Sequence, residues 1–378
     1  MSSVEEFRTE IRGWLKTHLS GSFAALRGRG GPGREHEAFA ERLTWERHLA
    51  AHGWTCVGWP KEYGGRGASI AEQIAFHEEY ALADAPARVN HIGEQLLGPT
   101  LVDHGTEEQK ARFLPPIRAA RELWCQGYSE PGAGSDLAAV RTRATLTGGS
   151  WVIDGQKIWT SLAHEAQWCF VLARTEPGSR RHTGLSYLLV PLDQPGVEIR
   201  PIVQLTGTSE FNEVFFDGAV TDAAHVVGAP GDGWRIAMAT LGYERGVSTL
   251  GQQVGFRREL DALVALARRN GAAADPDIRD RLTRAWAGLE ALRAGALRGT
   301  DPSAAKLYWS HWHRDLGELA LEVCGPAATL AAAAPYELDD WQRLFLFSRA
   351  DTVYAGSSEI QRNIIAERVL GLPKEPRP

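Results

Sequence analysis

No cysteine of this chain stands at the C-x-x-C spacing that a zinc ribbon or a dithiol centre needs. Cys56, Cys125, Cys169 and Cys324 are scattered through 378 residues, which predicts buried free thiols in a reducing cytoplasm rather than a disulfide framework. Long apolar runs are also missing. The alanine-rich stretch around Ala331 stops at Pro335, well short of the ~20 residues of a spanning helix, so no membrane span is expected. The N-terminus, Ser2-Ser-Val-Glu-Glu-Phe-Arg, has no basic segment leading into an apolar one and no evident secretory signal. A basic surplus is absent too: the formal net charge is −6 and no basic stripe interleaves with aromatics, which argues against nucleic acid as a partner. His91, His104, His164 and His311 show no metal-ligand spacing. Gly132 and Gly134 have no third glycine in register and no helix-forming run behind them, so the dinucleotide fingerprint is absent.

The chain does have length and apolar content (43%) enough to fill the cores of two or three domains. Its first third reads helical. Ser3 and Glu6 suit a capping box, and Val4, Phe7, Ile11, Trp14 and Leu15 follow at helical spacing. A second helix is expected over Glu37 to His52 with Phe39, Leu43 and Leu49 inward, then a loop rich in Gly, Pro and Trp to Ala68. Helices resume from Ile70, and Thr106-Glu-Glu-Gln109 is another capping box, before Ala111 to Ile117. From about Trp124 the period becomes two, in short runs beginning at Trp151, Trp168, Ser186, Val197 and Val214 separated by turn residues. After Gly231-Asp-Gly233 the helical period returns, with Leu282, Trp286, Leu289 and Leu292 on one helix. Asp301-Pro302 opens the next, and Gly271 and Gly371 are stops. Segregated blocks of helix and strand exclude a βαβ dinucleotide fold. The expected division is a helical domain over 1–120, a β-domain over 121–228 and a helical bundle over 229–378.

Two strings carry chemistry. In Trp124-Cys-Gln-Gly-Tyr-Ser-Glu-Pro-Gly-Ala-Gly-Ser-Asp136, Pro131, Gly132 and Gly134 break regular structure, and the glycines allow backbone amides close to a ligand. Ser129 and Ser135 add hydroxyls on either side. By itself this is a ligand cradle or a tight turn. Downstream stands Gly155-Gln-Lys-Ile-Trp-Thr-Ser161, whose Trp159 in isolation would be a core tryptophan.

Together the two strings resemble the flavin-binding segments of the acyl-CoA dehydrogenase superfamily, and the resemblance extends from the first helix to Arg362-Asn-Ile-Ile. It implies an α+β multidomain architecture: an N-terminal helical domain, a central barrel-like β-domain and a C-terminal four-helix bundle. It also implies FAD between β-domain and bundle, and a tetramer built through the bundles. Carried over by position, Gln126, Gly127, Tyr128, Ser129, Gly134 and Ser135 would line the flavin. Trp159 would pack beside its ring, while Thr160 and Ser161 hydrogen-bond it. Ser135, Tyr243 and Arg245 would face the substrate.

Such a family breaks the α C–H bond of an acyl thioester while the β hydride leaves for flavin N5, so the protein must supply a base, position and electrostatics. Many members carry that base as Glu in a Tyr-Glu-Gly-Thr segment. Here the segment reads Tyr354-Ala-Gly-Ser-Ser-Glu-Ile-Gln361, and Ala355 accepts no proton. The alternative seat is Tyr243-Glu-Arg-Gly246, where Glu244 matches the helix-borne base of isovaleryl-type and long-chain-type members. The bland alternative for Glu244 is an exposed carboxylate beside Arg245. Burial beside apolar substrate would raise its pKa toward its task. The Ala355 backbone N–H would polarise the thioester carbonyl. Glu359 is read as opening the last helix and Glu130 as structural.

The resemblance leaves three functions in play: a thioester dehydrogenase making a 2,3-enoyl product, a flavin monooxygenase or N-hydroxylase on the same fold, and a non-catalytic subunit. Glu244 counts against the second, and the intact loop against the third. An electron-transferring flavoprotein is the expected acceptor. The acyl carrier is coenzyme A or a carrier protein. Family segments for the adenosine half of FAD, Arg-x-x-Phe-Gly and Gln-x-x-Gly-Gly, are only Ala267-Arg-Arg-Asn-Gly-Ala-Ala-Ala-Asp275 and Glu322-Val-Cys-Gly-Pro-Ala327 here. Arg268 or Arg269 could substitute, and a homotetramer could bind FAD through different contacts. Otherwise a paralogue supplies the missing half in an α2β2 heterotetramer.

Overall fold

The computed structural model describes the backbone of residues 4–244, 248–332 and 337–374, and the side chains of the same residues except 244 and 248–251. Ser3, with its capping box, lies outside the described residues. Helix α1 (Val4–His18) buries Phe7, Ile11 and Leu15, the i, i+4 row that its sequence spells. Helix α2 (Phe39–Ala51) starts two residues later than expected and turns a different face inward. Phe39 and Leu43 are only half-buried, while Arg42, Trp45, Glu46 and Leu49 are buried. The reason is electrostatic. Arg42 donates to Glu35 at 2.7 Å and Arg88 pairs with Glu46 at 2.6 Å, so charged residues occupy positions that an apolar count assigns to the surface.

Helix α3 (Ile70–Leu82) begins at a Ser69–Glu72 capping box. Helices α4 (Gly98–His104) and α5 (Glu107–Arg118) follow, and Thr106 and Gln109 exchange the two bonds of the expected box at 3.1 and 3.2 Å.

The strands are β1 (Trp124–Gly127), β2 (Arg143–Thr147), β3 (Ser150–Ser161), β4 (Trp168–Arg174), β5 (Leu185–Pro191), β6 (Val197–Ile202), β7 (Phe211–Asp222) and β8 (Val226–Val227). They form one sheet in the order β6-β7-β3-β2-β4-β5-β8, with β1 parallel to β4. Alternation along β4 sends Phe170 and Leu172 to a core shared with Leu97, Leu101, Phe113 and Ile236 of the helices. Cys169, Val171 and Ala173 point to a second core with Trp151, Ile153, Val214 and Phe216. Strands far apart in the order thus enclose one core, as a curled, barrel-like sheet does. Three of the cysteines are buried as expected; Cys324 is half-buried.

Helix α6 (Gly233–Glu244) docks its first turn on β5. A Cβ at Gly233 would stand 2.5 Å from the Ser186 carbonyl carbon, and Gly231 N–H donates to Ser186 Oγ at 2.9 Å. Helices α7 (Ser248–Arg269), α8 (Pro276–Leu297), α9 (Pro302–Cys324) and α10 (Asp340–Asp351) build the bundle around Phe256, Leu289, Trp312 and Leu316. Asp301 caps α9 through Ser303 and Ala304 N–H, with Pro302 in the first turn. Gly271 and Gly371 follow their helices in the left-handed region. Trp286 lies on α8 as expected but is 52% exposed, as are Leu297 and Tyr308 to similar extents. Helix α11 (Ser358–Ile364) ends the bundle, with Glu359 in its first turn and its carboxyl held below the ordinary value by its own N–H and Ser357.

Candidate active site

The 126–135 loop leaves β1 and is clamped to β3 from beneath. Ile158 N–H donates to Ser129 O at 2.9 Å. Lys157 Nζ, fully buried, donates to Tyr128 O (3.0 Å), Leu172 O (2.8 Å) and Glu130 Oε1 (2.8 Å). Glu130 also accepts Arg141 and Thr142 N–H at 2.6 and 2.8 Å. Burial pushes the Glu130 carboxyl up, but the Lys157 charge and these donors outweigh it and hold it below the usual carboxylate range. Glu130 is therefore structural, as read. Lys157 was not singled out, although alternation with Trp151 and Ile153 puts it on the inward face.

Above the clamp the loop closes on itself, with Glu130 and Ala133 exchanging backbone bonds at 3.1 and 3.0 Å. Gly134 and Ser135 are exposed and Gln126 and Ser129 half-buried. A Cβ on Gly132 or Gly134 would meet nothing within 4 Å, and neither has positive φ. The chain itself does not demand glycine there. Gly127 is different: a Cβ would stand 2.8 Å from Cys169 Sγ, so strand packing explains it. The Tyr128 ring packs into the core against Phe170 and Tyr187.

The second segment is irregular where it meets the loop. The β3–β7 register slips between Lys157 and Thr160, and Trp159 (φ 59°) and Leu162 (φ 55°) are left-handed. For an aromatic residue that backbone costs about 1–3 kcal/mol. Bulges of this kind re-aim side chains: Trp159 is 56% exposed, edge-on to Phe211. Thr160 is fully buried, its carbonyl accepts Asn212 Nδ2 at 3.0 Å, and its hydroxyl has no partner among the described residues. Ser161 is half-buried. A buried unpaired hydroxyl beside an exposed tryptophan fits a flat polar ligand.

On the bundle side, α6 ends at Glu244, whose side chain, like all of Arg245, lies outside the described residues. Tyr243 is half-buried and its hydroxyl donates to Asp103 of α4; burial, then this carboxylate, raises its pKa. Ala355 follows α10 in the left-handed region (φ 50°). The buried Gln361 amide donates to Ala355 O (3.0 Å) and Gly356 O (3.3 Å). Among the described residues no hydrogen bond or ion pair joins this loop to the 126–135 loop.

Behind Ala355 stands a network that sequence reasoning missed. Tyr354 OH donates to Asp351 Oδ1 at 2.6 Å, and His313 bonds Asp351 Oδ2 (2.5 Å) and Glu259 Oε2 (2.9 Å). Burial lowers the His313 pKa, but hydrogen bonds to Asp351 and Glu259 outweigh it and raise it to about 9. A folded pKa above the unfolded one gives stability that is full below the ordinary histidine range and lost as pH rises through about 9. The loss is at most about 3 kcal/mol. Thermal midpoints should therefore fall from pH 6 to pH 9.5, and His313→Gln should flatten that slope. Parallel slopes in the two proteins would refute the assignment.

At the far end of the bundle, Asn270 Nδ2 donates to Val323 O at 2.7 Å. This bond brings the 267–275 and 322–327 segments together, with Arg268 and Arg269 exposed beside them.

Helices, a curled sheet and a helical bundle, with a clamped glycine loop beside a bulged Trp-Thr-Ser segment, define a flavoenzyme class. The chain belongs to the acyl-CoA dehydrogenase family: its N-terminal domain matches over residues 2–121, its middle domain over 125–219 and its C-terminal domain over 231–370. Acyl-CoA dehydrogenase IpdE1 of Mycobacterium tuberculosis is 67% identical over 99% of both chains, and IpdE1 of Mycolicibacterium smegmatis 64% over 99% of both. Among solved structures, the Tcur3481-Tcur3483 steroid ACAD superposes with TM-score 0.84 at 31% identity over 98% of both chains. The ChsE4-ChsE5 complex from Mycobacterium tuberculosis gives 0.83 at 30% over 99% of both.

Proposed function

We propose that the protein dehydrogenates an acyl-CoA thioester across Cα and Cβ to the 2,3-enoyl-CoA, with non-covalent FAD as the bound cofactor. The observation that carries this reading is the exchange of a carboxylate between two seats: Ala355 stands where many relatives hold the base, and α6 ends in Glu244. The residues present fit FAD. The open edges of Gly132 and Gly134, the unpaired Thr160 hydroxyl and the projecting Trp159 suit a planar ring with polar edges. Gln126, Ser129, Ser135, Thr160 and Ser161 would hold it, and bound flavin would supply the acceptor for the β hydride.

The chain's own residues do the remaining work. Glu244 takes the α proton. The Ala355 N–H donates to the thioester carbonyl as charge develops, a contribution of a few kcal/mol. The Gln361 bonds hold the Ala355–Gly356 turn in place. Tyr243 and Arg245 flank the acyl group. Electrons leave for an electron-transferring flavoprotein.

The substrate class proposed is a bulky, ring-bearing acyl-CoA, and the assembly a heterotetramer of two paralogous chains. Both are supported by the likeness to the Tcur3481-Tcur3483 steroid ACAD and to the ChsE4-ChsE5 complex. The incomplete segments at 267–275 and 322–327 support a partner that supplies the adenosine half of the FAD site. Exposed Trp286, Leu297 and Tyr308 on α8 and α9 suit a subunit contact.

The test is expression alone and with a paralogue encoded nearby, followed by anaerobic mixing with a panel of acyl-CoA thioesters. The co-expressed complex is expected to hold FAD and bleach with ring-bearing acyl chains. One FAD per chain and full bleaching in the homomeric protein would defeat the heteromer. No bleaching with any thioester in either preparation would defeat the dehydrogenase.

A further inference from the structure

Three histidines meet at the C-terminal ends of α1 and α2, in the N-terminal helical part of the chain. His48 lies in the last turn of α2 and His52, four residues on, is the residue that caps the helix just past Ala51. His18, the last residue of α1, faces them: its Nδ1 lies 2.9 Å from His48 Nε2. One donor atom from each of the three falls within 4.8 Å of the others. The sequence gives no hint of this, because 30 residues separate His18 from His48 and only the packing of α1 on α2 closes the gap.

We propose that His18, His48 and His52 bind one first-row divalent cation with a preference for imidazole, zinc foremost. Three zinc–nitrogen bonds of about 2.0–2.1 Å in tetrahedral array place the nitrogens roughly 3.3 Å apart. His18 Nδ1 and His48 Nε2 are slightly closer than that at 2.9 Å, and a donor atom of His52 lies within 4.8 Å of those of the other two histidines. His52, the exposed member of the three, has room to adjust.

The tautomers are prepared for it. His52 Nδ1 lies 2.8 Å from the His48 carbonyl oxygen. A carbonyl only accepts, so Nδ1 carries the proton and Nε2 keeps its lone pair. This is the second-shell bond that orients metal-binding histidines. At the close His18–His48 contact one proton is shared. On metal binding His18 Nδ1 and His48 Nε2 both present lone pairs, and that proton moves to a remote ring nitrogen or to solvent.

An aromatic wall backs the cluster. Trp14 stacks on His18 with ring centroids 4.4 Å apart at 15°, Trp45 stacks on His48 at 5.7 Å, and Phe23 lies 5.2 Å from His48. These rings cover one side of the His18–His48 pair, and the exposed His52 side is left open to water for a fourth ligand. A metal there would tie α1 to α2 and stabilise this part of the fold.

The experiment uses the untagged, flavin-loaded protein after dialysis against a chelator. Cobalt(II) titration should give visible bands of four-coordinate intensity that zinc displaces at one equivalent per chain. Zinc should bind at roughly micromolar Kd and raise the thermal midpoint as mass action requires. The His48→Gln/His52→Gln double variant should lose at least about 100-fold in zinc affinity. Equal binding by that variant would place the metal elsewhere and overturn the proposal. Absence of saturable zinc binding and of cobalt bands in the unmodified protein would overturn it without any variant.

Discussion

Glu244→Gln is expected to keep FAD and acyl-CoA binding and to slow substrate reduction of the flavin by about 10²–10⁴-fold, the usual worth of a general base. The amide is isosteric, so cofactor retention and the spectral shift on ligand binding should survive while proton transfer does not. That split separates a base from a residue that only shapes the pocket. Anaerobic stopped-flow in the flavin's visible absorption band reads it directly. A variant reduced at near the parental rate would remove Glu244 from the mechanism. The complementary variant adds Ala355→Glu. Alanine already holds the left-handed turn at φ 50°, so the longer side chain adds little backbone strain beyond what is present. Partial recovery of the rate is expected, because the turn is pinned by Gln361 to both carbonyls.

Much of the fold was legible where residues act locally. The Thr106–Gln109 box, the Asp301-Pro302 helix start and the strand runs from Trp151 to Val214 depend on neighbours within a few positions, and each is found where spacing puts it. The 126–135 and 155–161 strings were legible as a pair, and Ile158 and Ser129 do meet. What failed to show is non-local or charged. Arg42 and Glu46 displaced Leu43 from the buried face of α2 because their partners, Glu35 and Arg88, lie outside the helix. Lys157 carried a signal, two-residue alternation inward, that its charge concealed. The left-handed Trp159 and Ala355 have no compositional mark, since neither residue type favours that conformation. Asn270 and Val323, 53 residues apart, are joined only once α7 and α9 have packed. Glu244 stands at the end of a helix whose first turn the structure docks on β5.

The Lys157–Glu130 pair gives the largest expected loss of stability. Its ammonium is fully buried and satisfied by two carbonyls and one carboxylate, and its carboxylate is only 8% exposed and receives two backbone N–H groups. Lys157→Met leaves Glu130 with its charge and without its counter-ion, which should cost about 3–5 kcal/mol. Glu130→Gln leaves the buried ammonium with its two carbonyls but without its counter-charge and should cost a similar amount. Removing both charges together should cost much less than the sum, because apolar or neutral replacement of a whole buried pair is often near neutral. Flavin retention should not recover with stability. Lys157 is also what pins Tyr128 O, Glu130 and Leu172 O to one point, and a neutral pair leaves the loop above it without that anchor. Because Glu130 sits below the ordinary carboxylate range, its contribution is complete above that range and is lost as pH falls through its lowered pKa. The parental protein should therefore lose stability in acid more steeply than the double variant. Thermal midpoints and FAD release in the four proteins of this cycle decide it: additive losses would show that the two groups do not act as a pair, and full FAD retention in the stable double variant would show that the clamp does not position the loop.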